Sequence, residues 1–192
     1  MMTRVTGVIL AGGLGRRMGG VDKGLQPLRG RPMVQWVIER FAPQVDELLV
    51  NANQNLDAYA ARGHRVIPDV IGGFAGPLAG VHRGLTEAAH ELVATVPCDS
   101  PFLPTDLVVR LRGALESQHA ELAVARTGGQ SHPVFCLCRK SVLASLTAFL
   151  ESGGRKIDAW YSALNVVEVL FDDQPDAFSN INTEAELRSF ER

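Results

Sequence analysis

The stretch Val8–Gly24 constrains this chain more than any other part of it. It opens on an apolar run, Val8-Ile9-Leu10-Ala11, which reads as the end of a buried strand. Beyond it the chain becomes a loop, and the whole stretch carries six glycines, two arginines and one lysine. Glycine admits positive φ and lets another molecule approach the backbone with no Cβ in the way. Free N–H groups edged by guanidinium and ammonium groups suit an anion such as a triphosphate.

Two common phosphate loops are excluded by spacing. A Walker A loop needs Gly-Lys followed by Ser or Thr, but Lys23 stands between Asp22 and Gly24. A G-x-G-x-x-G fingerprint begun at Gly13 and Gly15 meets Met18 at its third glycine position.

Because the loop is cationic, the overall charge matters. The 192 residues carry a formal net charge of −2, so no general attraction to nucleic acid or anionic membrane is expected and any polyanion site must be local. With 46% hydrophobic residues the chain can bury a substantial core. No apolar run approaches the roughly 20 residues of a membrane span. Val5–Ala11 is too short for a secretory leader, so a cytoplasmic home is expected. Cys98, Cys136 and Cys138 offer no disulfide framework, and strand alternation puts Cys136 and Cys138 on one face as buried thiols.

Along the chain, strand and helix patterns alternate, which predicts a mostly parallel sheet covered on both faces. Strands are expected at the first apolar run, Val8–Ala11, and at Glu47–Ala52, Arg65–Ile67, Leu92–Val96, Leu122–Ala125, Pro133–Leu137 and Val166–Phe171. A helix opened by Pro32 shows Val34, Val37, Ile38 and Phe41 on one stripe. Others are expected at Leu56–Ala61, Leu78–Ala89, Ser141–Leu150 and Lys156–Leu164. Thr105 reads as the cap of a helix buried through Leu107, Val108, Leu111 and Leu115. Thr183 and Glu186 read as a capping box for a last short helix. With no repeat or linker, residues 1–192 are expected to form one domain.

Ligands of open α/β sheets bind beyond the carboxyl ends of the strands. Four segments fall at such ends: the first loop, Asn51-Ala52-Asn53, Asp69 and Asp99. An aspartate in a turn commonly just accepts backbone N–H bonds. Asp99, however, sits between Pro97 and Pro101 and shares its rim with the cationic loop. A carboxylate so held suits Mg²⁺, which takes one or two carboxylates together with phosphate oxygens and waters. Lys23 and Arg17 are placed to neutralise a triphosphate, whereas Arg16 reads as a surface residue. Gly12 and Gly13 let the backbone lie against a base, and Asn51 and Asp69 offer an amide and a carboxylate at neighbouring strand ends. No Ser-His-Asp or Cys-His arrangement stands out.

The pattern Leu10-Ala11-Gly12-Gly13, Arg17-Met18-Gly19-Gly20, Asp22-Lys23 resembles the opening of the molybdenum cofactor guanylyltransferases. Segments 76–80, 97–101 and 180–183 also resemble that family, and the likeness spans nearly the whole chain. It implies a single Rossmann-like three-layer α/β/α domain of the nucleotide-diphospho-sugar transferase type. It implies transfer of GMP from GTP to molybdenum-bearing molybdopterin, with Mg²⁺ as cofactor and pyrophosphate released. It places nucleotide contacts at Leu10, Ala11, Gly12, Lys23, Asn51, Asp69 and Asp99. Gly13 is expected beside them, and Asp99, Lys23 and Arg17 are expected to serve the chemistry. The carboxylate of Asp69 would suit the N1–H and N2–H₂ donors of guanine. His132, Asn180 and Asn182 would face the acceptor, with His132 more readily structural than a general base. Proteins that deliver molybdopterin or mature molybdoenzymes are the implied partners. The rival readings are a cytidylyl counterpart, a sugar-1-phosphate nucleotidyltransferase and a non-catalytic nucleotide-binding module. Gly12-Gly13, where cytidylyl relatives show Ala-Gly, favours guanine.

Overall fold

The computed structural model describes residues 3–13, 21–71, 76–181 and 186. In chain order the first half holds β1 (Val5–Leu10), β2 (Pro27–Leu28), β3 (Arg31–Pro32), α1 (Met33–Phe41), β4 (Glu47–Asn51), α2 (Leu56–Ala60) and β5 (Arg65–Ile67). The second holds α3 (Pro77–Glu87), β6 (Leu92–Pro97), α4 (Leu107–Ser117), β7 (Leu122–Thr127), β8 (Gln130–Arg139), α5 (Leu143–Glu151), α6 (Ile157–Tyr161) and β9 (Val166–Leu170).

Seven of these strands form one sheet in the order β5-β4-β1-β6-β8-β7-β9. β1 pairs in parallel with both β4 and β6, and β4 pairs in parallel with β5. β8 is antiparallel to both its neighbours, so it alone runs against the rest. The expected mostly parallel sheet is therefore present. Every residue of β1 and β6 is buried, as two-sided cover demands.

Strand alternation divides the core into two faces. Val5 and Ile9 of β1, with Leu92, Ala94 and Val96 of β6, pack against Val34, Val37 and Phe41 of α1 and Leu107 and Leu111 of α4. Val8, Leu10 and Val93 face the other way, against Leu78, Val81 and Leu85 of α3 and Leu146 and Leu150 of α5. Cys136 and Cys138 lie on this second face, fully buried.

The reversal at β8 comes from a tight turn. Thr127 pairs with Gln130 across Gly128 and Gly129, whose φ angles are +53° and +82°. Positive φ at both central residues is the hairpin geometry that glycine pairs favour. Both strands of that hairpin run longer than the apolar patterning suggests. Pro133 falls where the register shifts after Val124, so its missing N–H breaks no regular ladder bond.

One cap is corrected by the structure. α4 begins after Asp106, not Thr105, and neither side chain caps it. Its N-terminus is closed by Gln44, whose Oε1 accepts the Val108 amide at 3.0 Å. A distant glutamine supplies the acceptor that the local threonine was expected to provide. Asp22 to Leu25 turns the chain toward the small β2–β3 hairpin, which periodicity does not announce. Arg16, Arg17, Asn182 and Thr183 lie outside the described residues.

Candidate active site

The C-terminal ends of β5, β4, β1 and β6 lie side by side because the four strands are adjacent and parallel. From β1 the chain builds outward through β4 and β5, then returns to place β6 on the opposite flank of β1. Helices that leave in opposite directions open a crevice at such a switch point. Asn51–Asn53, Asp69, Asp99 and the described ends of the first loop reach this rim.

Lys23 and Asp99 meet there. Lys23 Nζ lies 3.3 Å from Asp99 Oδ2, although 76 residues separate them. Asp99 is 8% exposed. Burial raises its carboxyl above the ordinary carboxylate range, and the Lys23 ammonium pulls it partly back. The loop is secured from behind: Ile181 N donates to Asp99 O at 2.9 Å, and Ser100 Oγ donates to Asn180 Oδ1. Asn180 is thus tied to the Asp99 loop. Cys98 N donates to Leu10 O at 3.1 Å, which joins the ends of β6 and β1.

A second group forms beside the first loop. Asp69 Oδ1 accepts Asn51 Nδ2 at 2.8 Å, and Asp69 Oδ2 accepts Asn53 Nδ2 at 2.8 Å. Asn53 Oδ1 accepts the Asp69 amide at 2.9 Å, closing a ring of bonds. Asn51 is buried, and its Nδ2 also reaches Ile67 O at 3.0 Å. Gly12 lies against this group: a Cβ there would stand 2.8 Å from Asn53 Nδ2 and 3.1 Å from Asn51 Oδ1. A shallow cleft lined by Ala11, Gly12, Gly13, Val21, Asp22, Asn53 and Gln54 opens alongside.

α3 fits this rim through one missing methyl. A Cβ at Gly80 would overlap Asn51 Oδ1 and stand 2.8 Å from Leu10 Cδ2. Gly80→Ala is therefore expected to displace Asn51. Overpacking of this kind costs about 1–3 kcal/mol. The melting temperature should fall by roughly 2–12 °C, with weaker nucleotide binding, read by thermal melts with and without GTP.

His132 is held by partners of its own. Its Nε2 lies 2.6 Å from Thr127 Oγ1, and its ring stacks on Phe178 at 4.7 Å. Burial lowers its pKa, which favours the neutral ring. Asn53, Asn55 and Tyr59 join the rim's bonding although patterning assigned them no role. The sequence reading places Asn53 at this rim within Asn51-Ala52-Asn53, and no local signal marks Asn55 or Tyr59.

Comparison with known proteins identifies the family and the fold. A profile of the MobA-like NTP transferase domain matches residues 7–166. A protein of Cupriavidus taiwanensis named molybdenum cofactor guanylyltransferase is 54% identical over 192 residues, covering 97% of this chain and 96% of that one. The crystal structure of molybdopterin-guanine dinucleotide biosynthesis protein A from Archaeoglobus fulgidus matches with a TM-score of 0.81 and 25% identity, over 97% of this chain and 96% of that one. The 4-diphosphocytidyl-2C-methyl-D-erythritol synthase of Anaerococcus prevotii shares the fold, with a TM-score of 0.76 at 12% identity over 98% and 95% of the two chains. The chain thus carries a Lys23–Asp99 pair at the strand-end rim of a three-layer fold, and it belongs to the molybdenum cofactor guanylyltransferases, within the MobA-like NTP transferase domain family.

Proposed function

We propose that this chain, as one domain over residues 1–192, transfers GMP from GTP to molybdenum-bearing molybdopterin, in the cytoplasm. The observation that carries this reading is the Lys23–Asp99 pair at the switch point, with the carboxylate of Asp69 held farther along the same strand-end rim. The terminal phosphate of the pterin attacks the α-phosphorus of GTP in line. A P–O bond forms to the acceptor, the bond to the β-phosphate bridging oxygen breaks, and its electrons leave with pyrophosphate. The acceptor phosphate is largely ionised near neutrality, so no strong base is required. Positioning and charge stabilisation supply the catalysis. That accords with a rim that presents Lys23 and with a His132 engaged elsewhere.

Lys23, with Arg17, neutralises the charge that develops on the departing pyrophosphate. Leu10, Ala11, Gly12 and Gly13 present backbone to the base, and Asp69 accepts the N1–H and N2–H₂ of guanine. Asn51 and Asn53 hold that carboxylate in place.

Among the described residues no cluster of three His, Cys, Asp or Glu side chains could hold a metal by itself. One buried carboxylate fits Mg²⁺ nonetheless, because that ion completes its shell from substrate phosphates and water. Asp99 would hold it, and the ion would supply Lewis-acid neutralisation of the phosphate oxygens. Proteins that deliver the pterin or receive the product are the partners this role requires.

The test is reconstitution of an apo-molybdoenzyme with purified protein, molybdopterin, molybdate, magnesium and one nucleotide at a time. GTP is expected to restore activity and release pyrophosphate, while CTP and ATP do neither. Turnover with CTP would favour the cytidylyl reading. Nucleotide bound but never consumed would favour a binding module.

A further inference from the structure

We propose that Tyr59, acting through Asp22, is a positioning residue that sets Lys23 at its working distance from Asp99. The inference rests on the role given to Lys23 above and goes beyond it.

Asp22 immediately precedes the 3-10 turn Lys23–Leu25 and accepts the Leu25 amide at 3.2 Å. Both oxygens of its carboxylate are tied to the α2 region. Tyr59 Oη donates to Oδ1 at 2.5 Å, and Asn55 Nδ2 donates to Oδ2 at 3.0 Å. Asn55 reaches it from a left-handed conformation, φ +50°, at the start of α2. Asparagine tolerates that region better than most residues.

Tyr59 makes a rigid post. It is 0% exposed and packs in the core that contains Ile9, Phe41 and Val50. Burial, with the nearby Cys98 and Asp22, pushes the phenol's pKa far up, so the hydroxyl keeps its proton and donates. The post also touches the chain on both sides of the ion pair. A Cβ at Gly24 would lie 2.5 Å from Tyr59 Oη and 3.2 Å from Cys98 Sγ. The residue after Lys23 is therefore pressed against the residue before Asp99, with the Tyr59 hydroxyl beside both.

A carboxylate next to a triphosphate loop works against anion binding, so its presence calls for a compensating task. Charge-assisted hydrogen bonds are shorter and about twice as strong as neutral ones. Two of them fix the backbone from which a long, flexible lysine must project. A displacement of 1 Å in such a group can cost about 10²-fold in rate.

The test is a double-substitution cycle on the full chain, read as kcat for GTP-dependent pyrophosphate release, with a melting temperature for every variant. Tyr59→Phe is expected to lower kcat about tenfold, a part of the loss that full misplacement brings. In a Lys23→Met background the same substitution should change kcat less than about twofold, because nothing remains to be positioned. Asp22→Ala cuts the link from its half-exposed end without disturbing the core, and should match the Tyr59→Phe loss. Asp22→Asn, which keeps an acceptor for the phenol, should recover part of it. Equal effects of Tyr59→Phe in both backgrounds would overturn the proposal, and so would full activity of Asp22→Ala. A Lys23→Met protein with unchanged kcat would instead remove the role of Lys23 itself, an outcome distinct from both.

Discussion

Asp99→Asn should lose about 10²–10³-fold in kcat while its melting temperature holds or rises. The charge that would face the nucleotide's phosphates, through the ion Asp99 would hold, is the one this change removes. Loss of a preorganised charge contact of this kind costs about 10²–10³. Stability should move the other way. Burial raises the Asp99 carboxyl above the ordinary carboxylate range. The folded state therefore binds that proton more tightly than the unfolded chain does. Between the unfolded and folded pKa values stability falls as pH rises, and above both the ionised group is a net burden. A neutral amide of the same shape relieves it, as is common where a site trades stability for activity. Binding follows the same titration: a cation needs the ionised form, so its affinity should fall as pH drops through a value above 3.8, the ordinary aspartate figure. Lys23→Met removes the group that lowers that pKa and should shift this fall toward higher pH. Pyrophosphate release, thermal melts at two pH values and metal titration check the set. Near-normal GMP transfer by Asp99→Asn would end the assignment.

Asp69→Ala should cut kcat/KM for GTP by about 10²–10⁴-fold, since two hydrogen bonds from guanine to a charged acceptor are lost. A carboxylate that holds its two neighbours still has room to accept from a base. A carboxylate has about four lone-pair sites, and Asn51 and Asn53 take one on each oxygen. One remains on each for the base. Inosine triphosphate, which lacks the 2-amino group, separates the two contacts. The intact protein should prefer GTP to it, and Asp69→Ala should treat the two alike. Parallel losses for GTP, ATP and CTP would mean that Asp69 shapes the rim without reading the base. Some stability is lost as well, because Asn51 is buried and keeps only Ile67 O as the partner of its amide nitrogen. A donor left short of a partner costs about 1–3 kcal/mol.

The amino-acid sequence on its own determined the layer plan and the rim. The buried run Val5–Leu10, the stripe of Val34, Val37, Ile38 and Phe41, and the strand patterns at 47, 65 and 92 are local signals. Hydrophobic periodicity carries such signals within a single element. The same signals sent Lys23, Asn51, Asp69 and Asp99 to one edge of the sheet, because parallel strands end together. What only tertiary structure decided were contacts between residues far apart in the chain. Gln44 rather than Thr105 closes α4, Gly80 is small because Asn51 is behind it, and Tyr59 reaches Asp22 across 37 residues. Those choices depend on which surfaces meet once the sheet is ordered and β8 has reversed. No window of neighbouring residues contains that information, since the energy lies in the packing of distant groups.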